Sequence, residues 1–261
     1  MLDIYYVGTA TRLAAEAPIP IVRVVGMPLE MLGGAGNVAV NIKALGGTPV
    51  MSAPEHRDMP IKNRVICANV EICRFDVNDT CKPMWGKELD NVITEYKPDA
   101  IIISDYNKGT IQEEALEVIS GLTPEKLYID TKRNPNLFPQ GATFFPNNAE
   151  FAEFWREYTG VARTIHKKGD EGADLLAEGQ LVDTCPALSH NVVNVTGAGD
   201  TVIAAFTVCE TENLHANPLF FSMAAASLSV ETCFTGAPNL KDIEERLRAP
   251  QNFKELQNAQ R

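Results

Sequence analysis

Asn191-Val-Val-Asn-Val-Thr-Gly-Ala-Gly-Asp200, continuing through Thr201-Val-Ile-Ala-Ala-Phe-Thr-Val-Cys-Glu210, is the most informative stretch of the chain. Its first five residues include three β-branched valines and read as a strand, and the apolar run after Asp200 reads as a helix. A Gly-Ala-Gly turn between a strand and a helix leaves backbone N–H groups free at the positive end of the helix dipole. Such a turn holds an anion or a developing phosphoryl charge. Asp200 stands where its carboxylate reaches that charge. Two roles fit the spacing: a group that caps or complements the helix, or a base that takes a proton from a hydroxyl nucleophile.

A second Gly-rich stretch, GGAGNVAVNIKALGG at 33–47, places Val38, Ile42 and Leu45 at i, i+4 and i+7 and closes on Gly46 and Gly47. The spacing predicts an amphipathic helix over about 35–45. Gly34-Ala-Gly36-Asn-Val-Ala39 formally satisfies a dinucleotide fingerprint. However, residues 27–32 contain Pro28 and Glu30 and make a poor strand, and no acidic residue ends a second strand at the required distance, so that reading is rejected. No G-x-x-x-x-G-K-[ST] occurs, which excludes a P-loop enzyme. The Asn37 amide is left either to hydrogen-bond sugar hydroxyls or to cap the turn.

Between and around these stretches, residues 18–25 (PIPIVRVV) alternate as a strand. Three apolar runs at 100–104, 127–129 and 143–145 each stop at a polar cluster. Helical periodicity lies between them, in EEALEVISGL and GKELDNVITEY. The alternation predicts a parallel α/β sheet with ligands beyond the carboxyl ends of its strands. In Pro146-Asn-Asn-Ala-Glu150, Asn147 and Glu150 fit either a hydrated Mg²⁺ near phosphates or an N-cap with an acidic first turn. The run 224–227 (AAAS) fits close helix packing or a wall for adenine. After Leu240 a surface helix is expected, with a polar tail over 249–261.

The chain has 261 residues, 45% hydrophobic and 22% charged, with a net charge of −11. These values exclude membrane-spanning and disordered classes. A surface that negative repels nucleic acid and anionic membranes, while a small anionic molecule can still be held where a few fixed amides and cations overcome the global field. The six cysteines form no CxxC pair and have no His at ligand spacing, so neither zinc nor a disulfide framework is expected. That usage and the lack of an export signal suggest a cytoplasmic protein. His56, His166, His190 and His215 are scattered and read as surface or core residues.

The two Gly-rich signatures and the Pro-Asn-x-x-Glu box together resemble the ribokinase-like, PfkB-type carbohydrate kinases over nearly the whole chain. Three further stretches, 11–20, 104–109 and 129–132, are similar to the members that act on heptose 7-phosphate. The resemblance implies a three-layer α/β/α sandwich with a mostly parallel sheet and a small β lid from about 12–32 and 60–76. The whole would form one compact kinase domain over 1–248. It implies Asp200 as catalytic base, with Thr196, Gly197, Ala198 and Gly199 forming the anion hole. Asp3, Gly33, Gly34 and Asn37 would hold the sugar, joined by Arg12, Lys62, Arg64, Asp105 and Lys108 for the sugar or its phosphate. Asn147, Glu150, Lys132, Gly169 and Gly172 would meet ATP and Mg²⁺, Glu150 through water. A monovalent cation such as K⁺ is a further family cofactor, which Asn194, in place of the usual Asp, would weaken.

In the family a strand leads into the residue matching Asp3. Here Met1-Leu2 precede it, so that central strand is expected to be missing or supplied otherwise. The stretches 47–64 and 155–166 are short by the same comparison. The expected activity is transfer of the γ-phosphoryl of ATP to the anomeric hydroxyl of D-glycero-D-manno-heptose 7-phosphate. The alternatives are another sugar or nucleoside, or an inactive binding subunit. A homodimer through the lid edge at 18–25 is a further expectation.

Overall fold

Continuous apolar runs that stop at polar clusters become buried strands in the computed structural model, which describes residues 1–52, 59–189 and 191–248. In chain order the elements are β1 (Leu2–Leu13), β2 (Pro20–Val24), β3 (Leu29–Leu32), α1 (Ala35–Ala44), β4 (Ile61–Cys67), β5 (Val70–Val77), α2 (Gly86–Tyr96) and β6 (Ile101–Asp105). They continue with α3 (Glu113–Ser120), β7 (Leu127–Thr131), β8 (Thr143–Phe144), α4 (Asn148–Glu153), α5 (Trp155–Tyr158), β9 (Arg163–Lys167), β10 (Ala173–Ala177) and β11 (Gln180–Cys185). Three helices close the series: α6 (Ala198–Glu212), α7 (Pro218–Ser229) and α8 (Leu240–Arg248).

A six-stranded sheet runs β11-β10-β9-β8-β7-β6, parallel from β6 to β9 and antiparallel at β10 and β11. Period-two alternation sends successive side chains to opposite faces. Tyr128, Phe145 and Ile165 pack with α6 and α7 on one face, while Leu127, Ile129 and Phe144 pack with residues of α2 and α3 on the other. This is a three-layer α/β/α sandwich. Helix α6 is buried from Asp200 to Cys209 because α1, α7 and the sheet surround it, which accounts for its lack of a polar face. Burying a side chain such as Phe206 or Ile203 contributes on the order of 2 kcal/mol each.

A second, five-stranded sheet is built around the long β1. Its outer half pairs with β2, its inner half with β3, and its other edge runs parallel to β4, which pairs with β5. Asp3 therefore sits within a strand, not after one. Residues 29–32 do form a strand, contrary to expectation, because Leu29 to Leu32 pair antiparallel with Tyr5 to Leu2. That pairing supplies what the local sequence lacks. The helix α1 after it leaves an antiparallel strand, so the arrangement still differs from a dinucleotide-binding βαβ unit. The strand expected at 191–195 does not form. Val193 and Asn194 both donate to the carbonyl of Val230, and Val192 and Val195 are exposed. The tail at 249–261, His56 and His190 lie outside the described residues.

Candidate active site

Gly34 enters α1 at φ 56 and Gly197 enters α6 at φ 81, conformations that favour glycine. No side chain caps the start of α6. The Gly199 amide in its first turn is thus left for a ligand, at the positive end of a 15-residue helix. Two amides of the expected anion hole are already used within the chain: Thr196 N–H bonds Asn194 Oδ1 at 2.9 Å and Ala198 N–H bonds the Val195 carbonyl at 3.3 Å.

Asp200 does not cap the helix. Its Oδ2 accepts from Asn37 Nδ2 at 2.9 Å and its Oδ1 from the Tyr106 hydroxyl at 2.9 Å. Asp200 is only 5% exposed. Burial pushes its carboxyl up to about 6, against the lowering by Asn37, Tyr106 and Lys167. A base with that pKa ionises near neutral pH and holds a transferred proton well. A Cβ on Gly197 would come within 2.6 Å of Asn37 Nδ2, so the turn and the amide are packed together.

Two cavities flank this centre. One, of about 420 Å³, is lined by Gly197, Ala198, Gly199, Asp200, Lys132, Asn147, Glu150, Gly169 and Gly172. Every expected nucleotide-side residue except Thr196 therefore meets in one place. Its far end is apolar, with Leu188, Val192, Met223, Ala226 and Val230, and includes Ser189, whose buried hydroxyl has no partner. An apolar slot with an orphaned hydroxyl, leading to an uncapped helix start, fits a purine with a phosphate chain. The run 224–227 contributes Ala226 and Ser227 to that wall.

Asn147 and Glu150 form a full capping box: Glu150 N donates to Asn147 Oδ1 at 3.0 Å, and Asn147 N donates to Glu150 Oε2 at 2.8 Å. Glu150 Oε1 also accepts from Lys132 at 3.3 Å. Both oxygens keep a second lone pair, and no group of three metal-ligating side chains occurs among the described residues. The donor set fits magnesium held through water, not by direct ligation. Asn194 is engaged within its own turn, its Oδ1 accepting from Thr196 N at 2.9 Å and its Nδ2 donating to the Cys233 carbonyl at 3.0 Å.

The other cavity, about 530 Å³, lies along β6 between α1 and α2 and is lined by Met1, Gly34, Asp105, Tyr106 and Lys108. Among the expected sugar residues, Asp3 and Asn37 are each 3% exposed. Asp3 Oδ1 accepts from Arg64 Nε at 3.1 Å, and its Oδ2 lies against Gly33, where a Cβ would overlap it. Arg64 also binds Glu71 at 2.8 Å, so it serves as a counter-ion inside the sheet. Lys62 stands 5.1 Å from the Tyr106 ring centre, and burial lowers its ammonium pKa. Lys108 is paired with Asp79. Arg12 is not brought to the site: it is exposed near the outer end of β1, nine positions along the strand from Asp3. Asp105 is a loop anchor, held by Arg133 Nε at 2.7 Å and Thr131 Oγ1 at 3.2 Å, and it accepts from Asn107 N at 2.9 Å.

Three residues of the centre were not among those expected: Tyr106, Asp130 and Lys167. Lys167 Nζ binds Asp130 Oδ2 at 2.5 Å and stands 3.2 Å from where a Gly199 Cβ would be, directly over the start of α6. These residues lie just after β6, in β7 and at the end of β9. The rule that ligands gather at strand carboxyl ends identifies the region, but not the side chains.

Comparison with known proteins places this geometry among relatives. Residues 124–242 match the model for the pfkB family of carbohydrate kinases. The chain is 31% identical over 253 residues to the bifunctional protein HldE of Nitrosococcus oceani, covering 78% of this chain and 53% of that protein. It is 27% identical to HldE of Granulibacter bethesdensis over 307 residues, covering 95% and 63%. The chain thus spans between about half and three fifths of the length of these curated relatives. Among solved structures it resembles ribokinase from Thermotoga maritima (TM-score 0.68, 18% identity, 95% of this chain and 96% of that one). It also resembles phosphofructokinase-2 from Escherichia coli in complex with potassium (TM-score 0.71, 17% identity, 94% of both chains). At these identities the structures establish the fold. No helix among the described residues is long and apolar enough to cross a membrane.

Proposed function

Because the chain belongs to the pfkB-type, ribokinase-like carbohydrate kinases, we propose that it transfers the γ-phosphoryl of ATP to a sugar hydroxyl. The acceptor we assign is the anomeric hydroxyl of D-glycero-D-manno-heptose 7-phosphate. One observation carries the reading: a buried carboxylate, Asp200, stands in the first turn of an uncapped helix and is held through both oxygens by Asn37 and Tyr106.

In this account the acceptor hydroxyl gives its proton to Asp200 as its oxygen forms the new bond to the γ-phosphorus. The bond from that phosphorus to the β–γ bridging oxygen breaks, and ADP leaves with the electron pair. The amides of Gly197 and Gly199 and the Lys167 ammonium face the charge on the moving phosphoryl group, where preorganised donors act most strongly. Magnesium, when bound, neutralises charge on the ATP phosphates. Glu150 would hold it through water, with Lys132 beside it.

The heptose assignment rests on the sequence similarity at 11–20, 104–109 and 129–132 and on the need of an anionic sugar for a local cation, for which Lys62 stands beside Tyr106. ADP release is to be measured with heptose 7-phosphate, fructose 6-phosphate, ribose and adenosine as acceptors. Turnover with the heptose alone supports the full assignment. Turnover with another acceptor keeps the kinase and removes the heptose. ATP binding without turnover on any acceptor contradicts the enzyme reading.

A further inference from the structure

We propose that Tyr106 is a positioning residue that sets the base and two cations of this site through one side chain: its hydroxyl orients Asp200, and its ring carries Lys62 and Lys132. The inference rests on the kinase reading for its meaning in catalysis, but its geometry stands apart from any acceptor. Tyr106 and Asp105 are the two residues that line both cavities, so the phenol is part of the wall between them. Asp105, fixed by Arg133 and Thr131, anchors the turn at Asn107 (φ 54) and thereby fixes the chain on either side of Tyr106. The ring edge packs on the α1 entry, since a Cβ on Gly34 would lie 3.1 Å from Tyr106 Cε2.

The hydroxyl donates to Asp200 Oδ1 at 2.9 Å. Burial and the Asp200 charge raise the phenol pKa well above its usual value, so it stays a donor throughout the working pH range. A carboxylate has about four lone-pair sites, and with Asn37 on one oxygen and Tyr106 on the other its rotamer is fixed while sites remain for an acceptor hydroxyl. The Lys62 and Lys132 ammonium groups lie 5.1 Å and 5.4 Å from the ring centre, within cation–π range. Lys62 comes from β4 and Lys132 from just after β7, so one ring joins a cation of each sheet. The other charges around Asp200 are Asp130 and Lys167 from the β7 and β9 ends and the Met1 amine.

The hydroxyl and the ring are separable by substitution. Tyr106→Phe keeps the ring and removes the donor that favours the ionised carboxylate. The expected result is an acid limb of kcat/KM displaced upward by about one pH unit, a tenfold loss of the base form on that limb, with KM values for ATP and sugar phosphate within twofold of the wild type. Tyr106→Leu removes both contributions and is expected to raise at least one KM by about threefold or more as well. Carbon-13 NMR titration of the Asp200 carboxyl, assigned with Asp200→Asn, reads the same shift without any acceptor. An upward displacement in Tyr106→Phe on a protein that turns over no sugar supports the positioning role and overturns only the kinase reading. An unmoved carboxyl titration in folded Tyr106→Phe overturns the proposal whatever the activity, and so does a KM change in Tyr106→Phe equal to that in Tyr106→Leu.

Discussion

The Nδ2 amide of Asn37 donates to Oδ2 of Asp200 over 2.9 Å, joining α1 to α6 across 163 positions of sequence. Asn37 is itself braced by Asn41, whose Nδ2 donates to the Asn37 carbonyl at 2.9 Å and lies 3.3 Å from its Oδ1. The two Gly-rich stretches therefore act as one unit, each glycine turn allowing the close approach that the bond requires.

Asn37→Asp would set a second carboxylate against the first in a buried site, where both cannot ionise together. One proton is then shared, and the apparent pKa of the pair rises. We expect kcat/KM at pH 7 to fall at least about tenfold and to recover as the pH is raised. A pH–rate profile checks this, and an unchanged profile would show that the bond does not govern the base.

Asp200→Asn is expected to lower turnover by about 10²–10⁴-fold while ATP binding persists. It also tests the linkage between ionisation and stability. Burial in the fold pushes the carboxyl up to about 6, from the ordinary aspartate value of 3.8 in the unfolded chain. The folded state thus binds the proton more tightly. The stability from this group is complete below the unfolded value and is lost as the pH rises through about 6. By pH 8 the ionised group costs about 3 kcal/mol relative to pH 3. The asparagine removes that dependence, so urea melts at the two pH values should differ by correspondingly less in the variant than in the wild type.

Lys167 and Asp130 form a pair with side chains 14% and 19% exposed, so removing one partner leaves a largely desolvated charge. Lys167→Gln should lower kcat by about 10–100-fold through loss of the cation over the start of α6. Asp130→Asn, which releases the lysine, should retain kcat within a few-fold. Steady-state rates at saturating ATP separate the two; equal losses would mean that the pair matters only for structure.

Asn147→Ala breaks the capping box of α4 and should cost about 1 kcal/mol in thermal or urea melts without nucleotide, with Asn147→Ser recovering most of it. If Glu150 also holds a hydrated magnesium, Glu150→Gln should raise the magnesium concentration needed for half-maximal rate by more than Asn147→Ser does. A common magnesium dependence for the two variants would reduce the box to a cap.

How much of this was readable in advance follows from where each element gets its stability. The runs at 100–104, 127–129 and 143–145 were legible because strands buried on both faces carry unbroken apolar stretches, as Ile101 to Ile103 of β6 and Leu127 to Ile129 of β7 do before their polar ends. The long β1 was not. Its outer half, with Ala10, Thr11 and Arg12, is exposed and takes its form from pairing with β2. Strand β3, with Glu30, is likewise imposed by its partner. The valines at 192, 193 and 195 misled in the opposite direction, since β-branched side chains favour an extended backbone but no strand among the described residues pairs with it. In the site, Asp200, Asn37 and the glycines were legible because backbone geometry restricts them to a short pattern. Tyr106, Asp130 and Lys167 meet only through the sheet order β9-β8-β7-β6, which local spacing does not encode.

The central claim is that Asp200 deprotonates a sugar hydroxyl for attack on ATP. Phosphorus NMR of the purified protein with ATP, Mg²⁺ and heptose 7-phosphate tests it most directly, run beside Asp200→Asn. A new anomeric phosphate signal that grows with ADP in the wild type and is absent from the folded, ATP-binding variant is the predicted result. Equal product from both proteins would contradict the role of Asp200, and no product from the wild type with any acceptor would contradict the kinase itself.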